Sequence, residues 1–235
     1  MSFREKVASI HQPNFLPWIG YFYKIMKSDI FVFLDDVQFS KGSFTNRNKI
    51  KTKNGGKYIT FPIVKEGGHK KLIMDCTVSD KENSINKILS SIENSYSKSK
   101  YFNDYFYSFK SVLQNDEDNL SNINISVVEW VFDILNIEVE TYRSSNLKNI
   151  DGVATSRLVS ICKEVGADKY LSGLGGCKYQ DEKLFKDYGI DLLTSDFIHP
   201  NYHQLYGEFI PSLSVLDIIF NCGDKSKDII LKGIR

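Results

Sequence analysis

Residues 6–36, KVASIHQPNFLPWIGYFYKIMKSDIFVFLDD, carry the strongest indication of the fold. Lys6 to Ile10 is typical of a short strand, and residues 19–27 of a short helix. The nearly continuous apolar run from Asp29 to Leu34 predicts a strand that is buried on both faces. A strand, a loop, a helix and a second strand form one βαβ unit, which is almost always right-handed. The sequence therefore predicts a parallel sheet covered by helices.

The remaining segments extend this unit into a larger α/β fold. Asn54-Gly55 predicts a β-hairpin, and a further strand is expected from Leu72 to Val78. Apolar residues at helical spacing predict a mostly helical section over about residues 80–136, with Ser79 or Asp80 as its first N-cap. Shorter strands and helices alternate after it. The expected fold is α/β, a Rossmann-like layered parallel or mixed sheet with a helical middle section and a β-hairpin, in one domain of residues 1–235.

Composition and charge exclude several classes of function. Lys and Arg total 30 against 29 for Asp and Glu, so no net field attracts the chain to nucleic acid or to an anionic membrane. No window approaches the roughly 20 apolar residues of a membrane span, and the first residues do not form a signal peptide. The 4 cysteines are far apart, which argues against a thiolate zinc site. We expect a cytoplasmic protein without a metal site or a membrane partner, and without a nucleic-acid partner unless a charged tRNA is the donor of a transferred group.

The first candidate site follows the first strand, because ligands of open α/β sheets bind beyond the carboxyl ends of strands. His11 is suited to proton transfer near neutral pH. Two prolines stiffen the loop, and aromatic rings offer flat apolar surfaces. The candidates for substrate binding here are Gln12, Asn14, Trp18 and Tyr21. The alternative is a proline-rich turn around a hydrogen-bonded histidine.

The second candidate site follows the buried strand that ends at Leu34. Asp35 and Asp36 are paired carboxylates, which can share a proton or bind a cation. Polar and basic residues that can hold phosphate or carboxylate come next: Gln38, Lys41, Asn46, Arg47 and Asn48. The alternative is a solvated loop with a helix cap.

Two further segments near the C-terminal end carry polar residues. A glycine-rich turn follows a predicted strand at residues 169–173, and its backbone amides can approach an anion. Its spacing matches neither a P-loop nor GxGxxG. Its candidates are Ser172, Gly173 and Tyr179, and Cys177 is either a nucleophile or a small buried thiol. In the segment HPNYHQ, Pro200 argues against a helical metal pair, so His199 is a candidate acid or base, with Tyr202 and Gln204 beside it.

These four segments resemble the WbqC-like family of bacterial proteins over nearly the whole chain. The similarity is most specific in five stretches: HQPNFLPWIGYF (11–22), FVFLDDVQFSKGSFTNRNKIK (31–51), YLSG (170–173) with Tyr179, HPNYHQ (199–204) and SVLDIIFNCG (214–223). The resemblance implies a link to gene clusters for O-antigen and other surface polysaccharides. It also implies a glycine-transferase role, meaning aminoacylation of an amino sugar or a similar glycan precursor.

The first hypothesis is therefore a transferase that moves a small acyl or aminoacyl group onto an amine or hydroxyl of a nucleotide-linked sugar. His11 or His199 would remove the acceptor's proton, with Asp35 or Asp36 orienting that base or binding the acceptor. Lys41 and Arg47 would hold a pyrophosphate or carboxylate. Residues 173–176 would donate backbone hydrogen bonds to an oxyanion. The donor could be acyl-CoA, a carrier-protein thioester, a charged tRNA or an adenylate, and the enzyme could be a homodimer.

Two alternatives remain open at this point. The strand–loop–helix–strand layout is similar to nucleotidylyltransferase-type Rossmann folds such as pantothenate synthetases, which predicts a ligase or nucleotidylyltransferase that uses ATP and magnesium. Pro17-Trp18-Ile19-Gly20-Tyr21 stands where those folds have an HxGH-like segment, and neither histidine is present. The other alternative is a non-catalytic protein that binds sugar nucleotides.

Overall fold

Five parallel strands form the central sheet of the chain in a computed structural model, which describes residues 4–65 and 71–233 apart from the Cys177 side chain. These five strands are β1 (Val7–His11), β2 (Ile30–Phe33), β5 (Glu140–Arg143), β6 (Lys169–Ser172) and β7 (Asp191–Thr194). A separate hairpin consists of β3 (Arg47–Thr52) and β4 (Gly55–Thr60). The α-helices are α1 (Ile19–Met26), α2 (Lys81–Tyr96), α3 (Phe102–Leu113), α4 (Leu120–Leu135), α5 (Ala154–Glu164), α6 (Glu182–Asp187), α7 (Val215–Cys222) and α8 (Ser226–Leu231).

The strand order of the sheet is β5-β2-β1-β6-β7, and all neighbouring pairs are parallel. In register, Ala8 of β1 lies between Ile30 of β2 and Tyr170 of β6. Along the chain, β2 and then β5 are added on one side of β1, and β6 and then β7 are added on its other side. The direction therefore reverses between β1 and β6, and such a reversal opens a crevice at the carboxyl ends of those two strands.

Both faces of the sheet are covered, as the apolar run of β2 predicts. Phe31 and Phe33 belong to a large core that includes side chains of α1, of α2–α4 and of α7. Ile30 and Val32 belong to a smaller core that includes side chains of α5 and α6. Alternate residues of a strand point to opposite faces, so β2 needs apolar side chains at every position.

The α/β class, the parallel sheet, the hairpin and the helical middle section are confirmed. The hairpin β3–β4 turns between Thr52 and Gly55, where Gly55 has φ +97°. None of the helices in the described ranges is long and apolar enough to cross a membrane.

One local prediction is wrong. Residues 72–78 do not form a strand but a 3-10 turn at Ile73–Asp75, flanked by the single bridges Gln38–Leu72 and Ile63–Val78. A short apolar pattern does not distinguish a strand from a buried turn. Asp80 is the N-cap of α2, as predicted, but its backbone is left-handed (φ 45°) and its carboxylate accepts from Asn83 Nδ2 rather than from a backbone amide of the helix.

Candidate functional site

A cavity of about 340 Å³ opens at the carboxyl ends of β1 and β6, where the strand order reverses. Its volume lies within the usual range for small-molecule sites. The lining comes from the end of β1, from α1, from β6 with the glycine turn after it, and from the segment after β7. The lining residues are Ile10, His11, Trp18, Gly20, Lys24, Tyr170, Ser172, Gly173, Leu174, Gly175, Gly176, Gln180, Ser195 and Phe197. We call this cavity the crevice.

Lys24 is the charged side chain that α1 brings into the crevice. It is 4% exposed, and its ammonium donates a hydrogen bond to the carbonyl oxygen of Ile10 at 3.1 Å. It forms no ion pair with a carboxylate of the described residues. Desolvation by burial lowers the pKa of Lys24 from 10.5 to about 7. A large fraction of the side chain is therefore a neutral amine at physiological pH.

Sequence analysis missed Lys24, although a signal for it exists. The helix IGYFYKIM is buried from Ile19 to Ile25, and Lys24 is its one charged residue. Residues four apart share a face of a helix, so Lys24 lies on the same side as Gly20, which also lines the crevice. A single lysine within a buried amphipathic pattern is a candidate functional residue, because an unpaired buried charge is costly unless it is used.

His11 is the last residue of β1, which ends one residue later than the predicted strand, and its half-buried ring lines the crevice. The ring stands edge-on to Tyr21 with 4.9 Å between centroids, and its Nδ1 lies 3.1 Å from the Gln12 carbonyl oxygen. Desolvation by burial, followed by the positive charge of Lys24, lowers the pKa of His11 from 6.5 to about 3. Its imidazole is therefore neutral and weakly basic at neutral pH, suited to hydrogen bonding rather than to accepting a proton.

The glycine turn after β6, residues 173–176, forms another wall of the crevice. The Gly176 amide donates to the Gly173 carbonyl at 2.9 Å, and the Ser172 hydroxyl donates to the same oxygen at 3.2 Å. A Cβ on Gly176 would lie 3.0 Å from Ser172 Oγ, whereas Gly173 and Gly175 have open space on that side. A ligand can therefore approach the backbone of this turn. Tyr179, also predicted to bind substrate, is 86% exposed and does not line the crevice.

Trp18 closes a third side of the crevice. Its ring covers Gly20 so closely that a Cβ there would overlap it, with Cζ2 at 2.6 Å. Phe197 packs against the indole at 5.4 Å, and His199 stacks on it at 6.2 Å. Tyr202 stacks on His199 at 6.2 Å. His199 is thus packed in an aromatic cluster and is not part of the crevice lining.

The His199 ring has one nitrogen in use. Nδ1 lies 3.0 Å from the Pro200 carbonyl oxygen, and Nε2 is buried with no hydrogen-bond partner among the described residues. Burial lowers the pKa of His199 below its ordinary value. The predicted acid or base therefore lies one ring away from the crevice, behind Trp18.

Asp35 and Asp36 join β2 to β5 and α5. The Asp35 carboxylate accepts from the Ser145 amide at 3.0 Å and from its hydroxyl at 2.9 Å. Asp36 accepts from the Ser144 hydroxyl and forms an ion pair with Arg157, both at 2.5 Å. These contacts account for two acidic residues at the end of a buried strand, and neither residue lines the crevice.

The loop that contains Gln38, Lys41 and Asn46 packs on the loop between β1 and α1. Thr45 Oγ1 donates to Gln12 Oε1 at 3.3 Å, and the Phe15 amide donates to the Phe44 carbonyl at 2.9 Å. The transferase hypothesis assigned residues of both loops to one reaction. The loops are in contact, but Lys41 and Asn46 line a second cavity of about 530 Å³ and not the crevice.

The remaining predicted binding residues hold the backbone or pack on neighbours. Asn48 donates to the Leu16 carbonyl at 2.5 Å, and Tyr21 to the Gln12 carbonyl at 3.2 Å. Asn14 is buried in the same loop. The Arg47 guanidinium lies over the Tyr58 ring at 4.6 Å. Gln204 Oε1 accepts from the buried Lys51 ammonium at 3.1 Å, and Gln38 forms the bridge to Leu72.

The sequence pattern of the WbqC-like protein family matches residues 12–229, which include both cavities except His11 and Ile10 at the start of the crevice. The chain belongs to the WbqC-like protein family. This WbqC-like chain is also 32% identical over 225 residues to the uncharacterized protein Rv1507c of Mycobacterium tuberculosis, covering 95% of the chain and 96% of that relative. No solved structure matches it.

The crevice of this WbqC-like protein combines three chemical abilities. The Lys24 amine can accept a proton near pH 7, the turn at Gly173 and Gly175 leaves backbone open to a ligand, and His11 offers a neutral imidazole. Among residues 4–65 and 71–233, no group of three or more His, Cys, Asp or Glu side chains is placed to hold a metal ion.

Proposed function

We propose that this WbqC-like protein is a transferase of bacterial surface polysaccharide synthesis. It moves an acyl or aminoacyl group of about the size of glycyl onto an amine or hydroxyl of a nucleotide-linked sugar. The observation that carries the proposal is the buried Lys24 amine, with a pKa of about 7, facing an open glycine turn in one crevice. A general base works best when its pKa is close to the operating pH.

The position of the crevice supports a nucleotide-linked acceptor. Open α/β sheets bind nucleotides where the strand order reverses, and here that point lies between β1 and β6. The backbone at Gly173 and Gly175 is open to an anion such as a diphosphate. The half-buried Trp18 ring offers the flat apolar surface on which a sugar can pack.

The proposed reaction needs one base and one oxyanion site. As the acceptor nitrogen or oxygen attacks the carbonyl carbon of the activated donor, the Lys24 amine takes the acceptor's proton. The new bond to the acyl carbon forms, the bond from that carbon to the leaving group breaks, and Lys24 returns the proton to the leaving group. Backbone amides of the glycine turn stabilise the oxyanion. Lys24 thereby takes the role that sequence analysis gave to His11 or His199.

Neutral His11 then serves as an orienting group. Its Nδ1 is beside the Gln12 carbonyl, and the ring lines the crevice. The other ring nitrogen is available to hydrogen bond to the acceptor amine or hydroxyl and align it with Lys24. Because the pKa of His11 is lowered to about 3, this bond persists across the physiological pH range.

The test is a product assay by mass spectrometry. UDP- and dTDP-linked amino sugars are incubated with glycyl and acetyl donors, and we expect a product heavier by the transferred group. Lys24→Met should remove it, whereas Lys27→Met, at the exposed residue that follows α1, should not. Tight binding of nucleotide sugars without any product would identify a binding protein instead. Stabilisation by ATP and magnesium with pyrophosphate release would identify an ATP-dependent ligase.

A further inference from the structure

The second cavity, of about 530 Å³, lies beside the loop after β2 and the segment after β4, and the proposed reaction does not use it. Its walls include the apolar side chains of Phe39, Ile63 and Val64. Three lysines, Lys41, Lys65 and Lys71, also line it. An apolar cavity with few charged groups, all of one sign, is typical of a site for an anionic ligand with an apolar body.

The three lysines have no ion-pair partner within the described part of the chain. Lys71 is close enough to the buried Cys76 at the cavity wall to oppose, by its charge, the rise in the pKa of that thiol which burial causes. Clustered cations without counter-ions favour a ligand that carries several negative charges.

Asn46 adds a polar group to the same cavity. Its Nδ2 donates to the Phe61 carbonyl oxygen at 2.8 Å, which determines the orientation of the amide. Its Oδ1 is buried and has no partner among the described residues. A buried acceptor without a donor is costly, so a ligand N–H that reaches it would be bound favourably.

A path of four residues connects the second cavity to the crevice. Asn46 of the cavity is next to Thr45, whose hydroxyl donates to Gln12, and Gln12 is next to His11 of the crevice. Asn124 Nδ2 connects the two loops further by donating to the Pro13 carbonyl at 2.9 Å and to the Thr45 carbonyl at 2.7 Å. Two ligands can therefore occupy neighbouring sites on either side of one rigid contact.

We propose that the second cavity binds a phosphopantetheine arm. Its phosphate would pair with lysines of the set Lys41, Lys65 and Lys71. Its chain would lie along Phe39, Ile63 and Val64, with an amide N–H facing Asn46. Binding of the arm is independent of the reaction proposed above. That the arm delivers a thioester to the acceptor in the crevice rests on that proposed function.

Free coenzyme A and an arm attached to a carrier protein share this chemistry. Calorimetric titration of the full chain should show that coenzyme A and phosphopantetheine bind at least tenfold more tightly than pantetheine, which lacks the phosphate. Titration with a carrier protein, with and without its arm, distinguishes the two sources. Binding of either arm-bearing ligand supports the proposal. Absence of binding for coenzyme A, phosphopantetheine and the armed carrier at millimolar concentration overturns it.

Variants locate the site. Lys65→Glu and Lys71→Glu should each weaken coenzyme A binding about tenfold, the effect of about one charge-assisted contact. Ile63→Trp, which fills the cavity, should weaken coenzyme A and pantetheine alike. Lys53→Glu is the matched control, because it makes the same charge change at the opposite end of the hairpin from Thr60 of the cavity. Equal effects of all four variants would overturn the proposal.

Measurements of coenzyme A binding and of nucleotide-sugar turnover distinguish a failure of this proposal from a failure of the proposed function. Lys24→Met should leave coenzyme A binding unchanged, since Lys24 lines the crevice and not the second cavity. Nucleotide-sugar turnover that depends on Lys24, without binding of any arm, overturns the second site alone. Binding of the arm that depends on Lys65 and Lys71, without any product from nucleotide-linked sugars, overturns the proposed function alone.

Discussion

Lys24 Nζ donates a hydrogen bond to the carbonyl oxygen of Ile10 at 3.1 Å. The bond joins the buried face of α1 to the carboxyl end of β1, where the crevice opens. The bond holds the amine beside His11 and opposite the glycine turn. It offsets only part of the cost of burying an ammonium group, and the pKa of Lys24 falls to about 7 in consequence.

The rate of the proposed transfer should depend on the protonation of Lys24. Only the neutral amine accepts a proton, so kcat should fall as the pH drops below about 7. Lys24→Met should lower kcat by about 10²–10⁴-fold with a smaller change in KM, the usual contribution of a general base. A pH profile of kcat for the native chain and for Lys27→Met provides the measurement and its control. A rise in KM with unchanged kcat would instead show that Lys24 only binds an anion.

The same lysine should reduce the stability of the fold in a pH-dependent way. Its pKa is about 7 in the folded chain and 10.5 when unfolded, so the unfolded chain binds more protons between these values. The free energy of unfolding therefore rises with pH across this window, and the cost of burying Lys24 is complete below pH 7. Lys24→Met should be more stable than the native chain by about 4–5 kcal/mol at pH 6, and by about 1 kcal/mol or less at pH 10.

Thermal unfolding of both chains from pH 6 to pH 10 measures this difference. Lys27→Met, whose side chain is exposed, should follow the native curve throughout. An equal gain for Lys24→Met at both ends of the range would show that Lys24 keeps its ordinary pKa and stays charged in the folded chain, which contradicts the lowered pKa.

Gly20→Ala should disturb the crevice although alanine favours helices. A Cβ on Gly20 would overlap the Trp18 ring, which also packs against Phe197 and His199. Helix propensity favours the change by about 1 kcal/mol, whereas overpacking costs about 1–3 kcal/mol. We expect a lower melting temperature and an altered near-ultraviolet circular dichroism signal. In the control Gly56→Ala, the nearest atom is Lys49 Cδ at 3.6 Å, an ordinary contact, so neither change is expected.

Asp36→Ala should affect stability more than chemistry. The change removes the acceptor for Ser144 and leaves the Arg157 guanidinium without its carboxylate. A loss of about 2 kcal/mol would lower the melting temperature by about 4–8 °C in a chain of this size. The folded fraction should retain its kcat, and Asp187→Ala, which removes an exposed carboxylate, should change neither quantity. A large loss of kcat at an unchanged melting temperature would restore the catalytic role that sequence analysis gave to Asp36.

Local patterns predicted most of the fold. The run from Ile30 to Phe33 is apolar at every position because Ile30 and Val32 face one core while Phe31 and Phe33 face the other. Asn54-Gly55 predicted the hairpin for an equally local reason, since glycine tolerates the positive φ that Gly55 adopts. Residues 72–78 were mistaken for a strand because their conformation depends on bridges to Gln38 and Ile63, which lie far away in the chain.

The candidate site was predicted in part. His11, Trp18, Ser172 and Gly173 do line one crevice, because polar residues at the ends of parallel strands collect at one edge of the sheet. Asp35 and Asp36 also follow a strand, yet their partners are Ser144, Ser145 and Arg157. Residue type and spacing do not show which neighbour a carboxylate will find.

Amino-acid order alone was enough for the α/β class, the βαβ unit and membership of the WbqC-like family, because periodicity and long motifs are local properties of a chain. Three-dimensional packing was needed to separate two cavities on either side of the Gln12–Thr45 contact. Three-dimensional packing was also needed to predict the pKa of Lys24, because the position of this residue in an apolar helix does not determine that value. That value arises from desolvation by side chains that come together only when β1, α1 and β6 pack around the crevice.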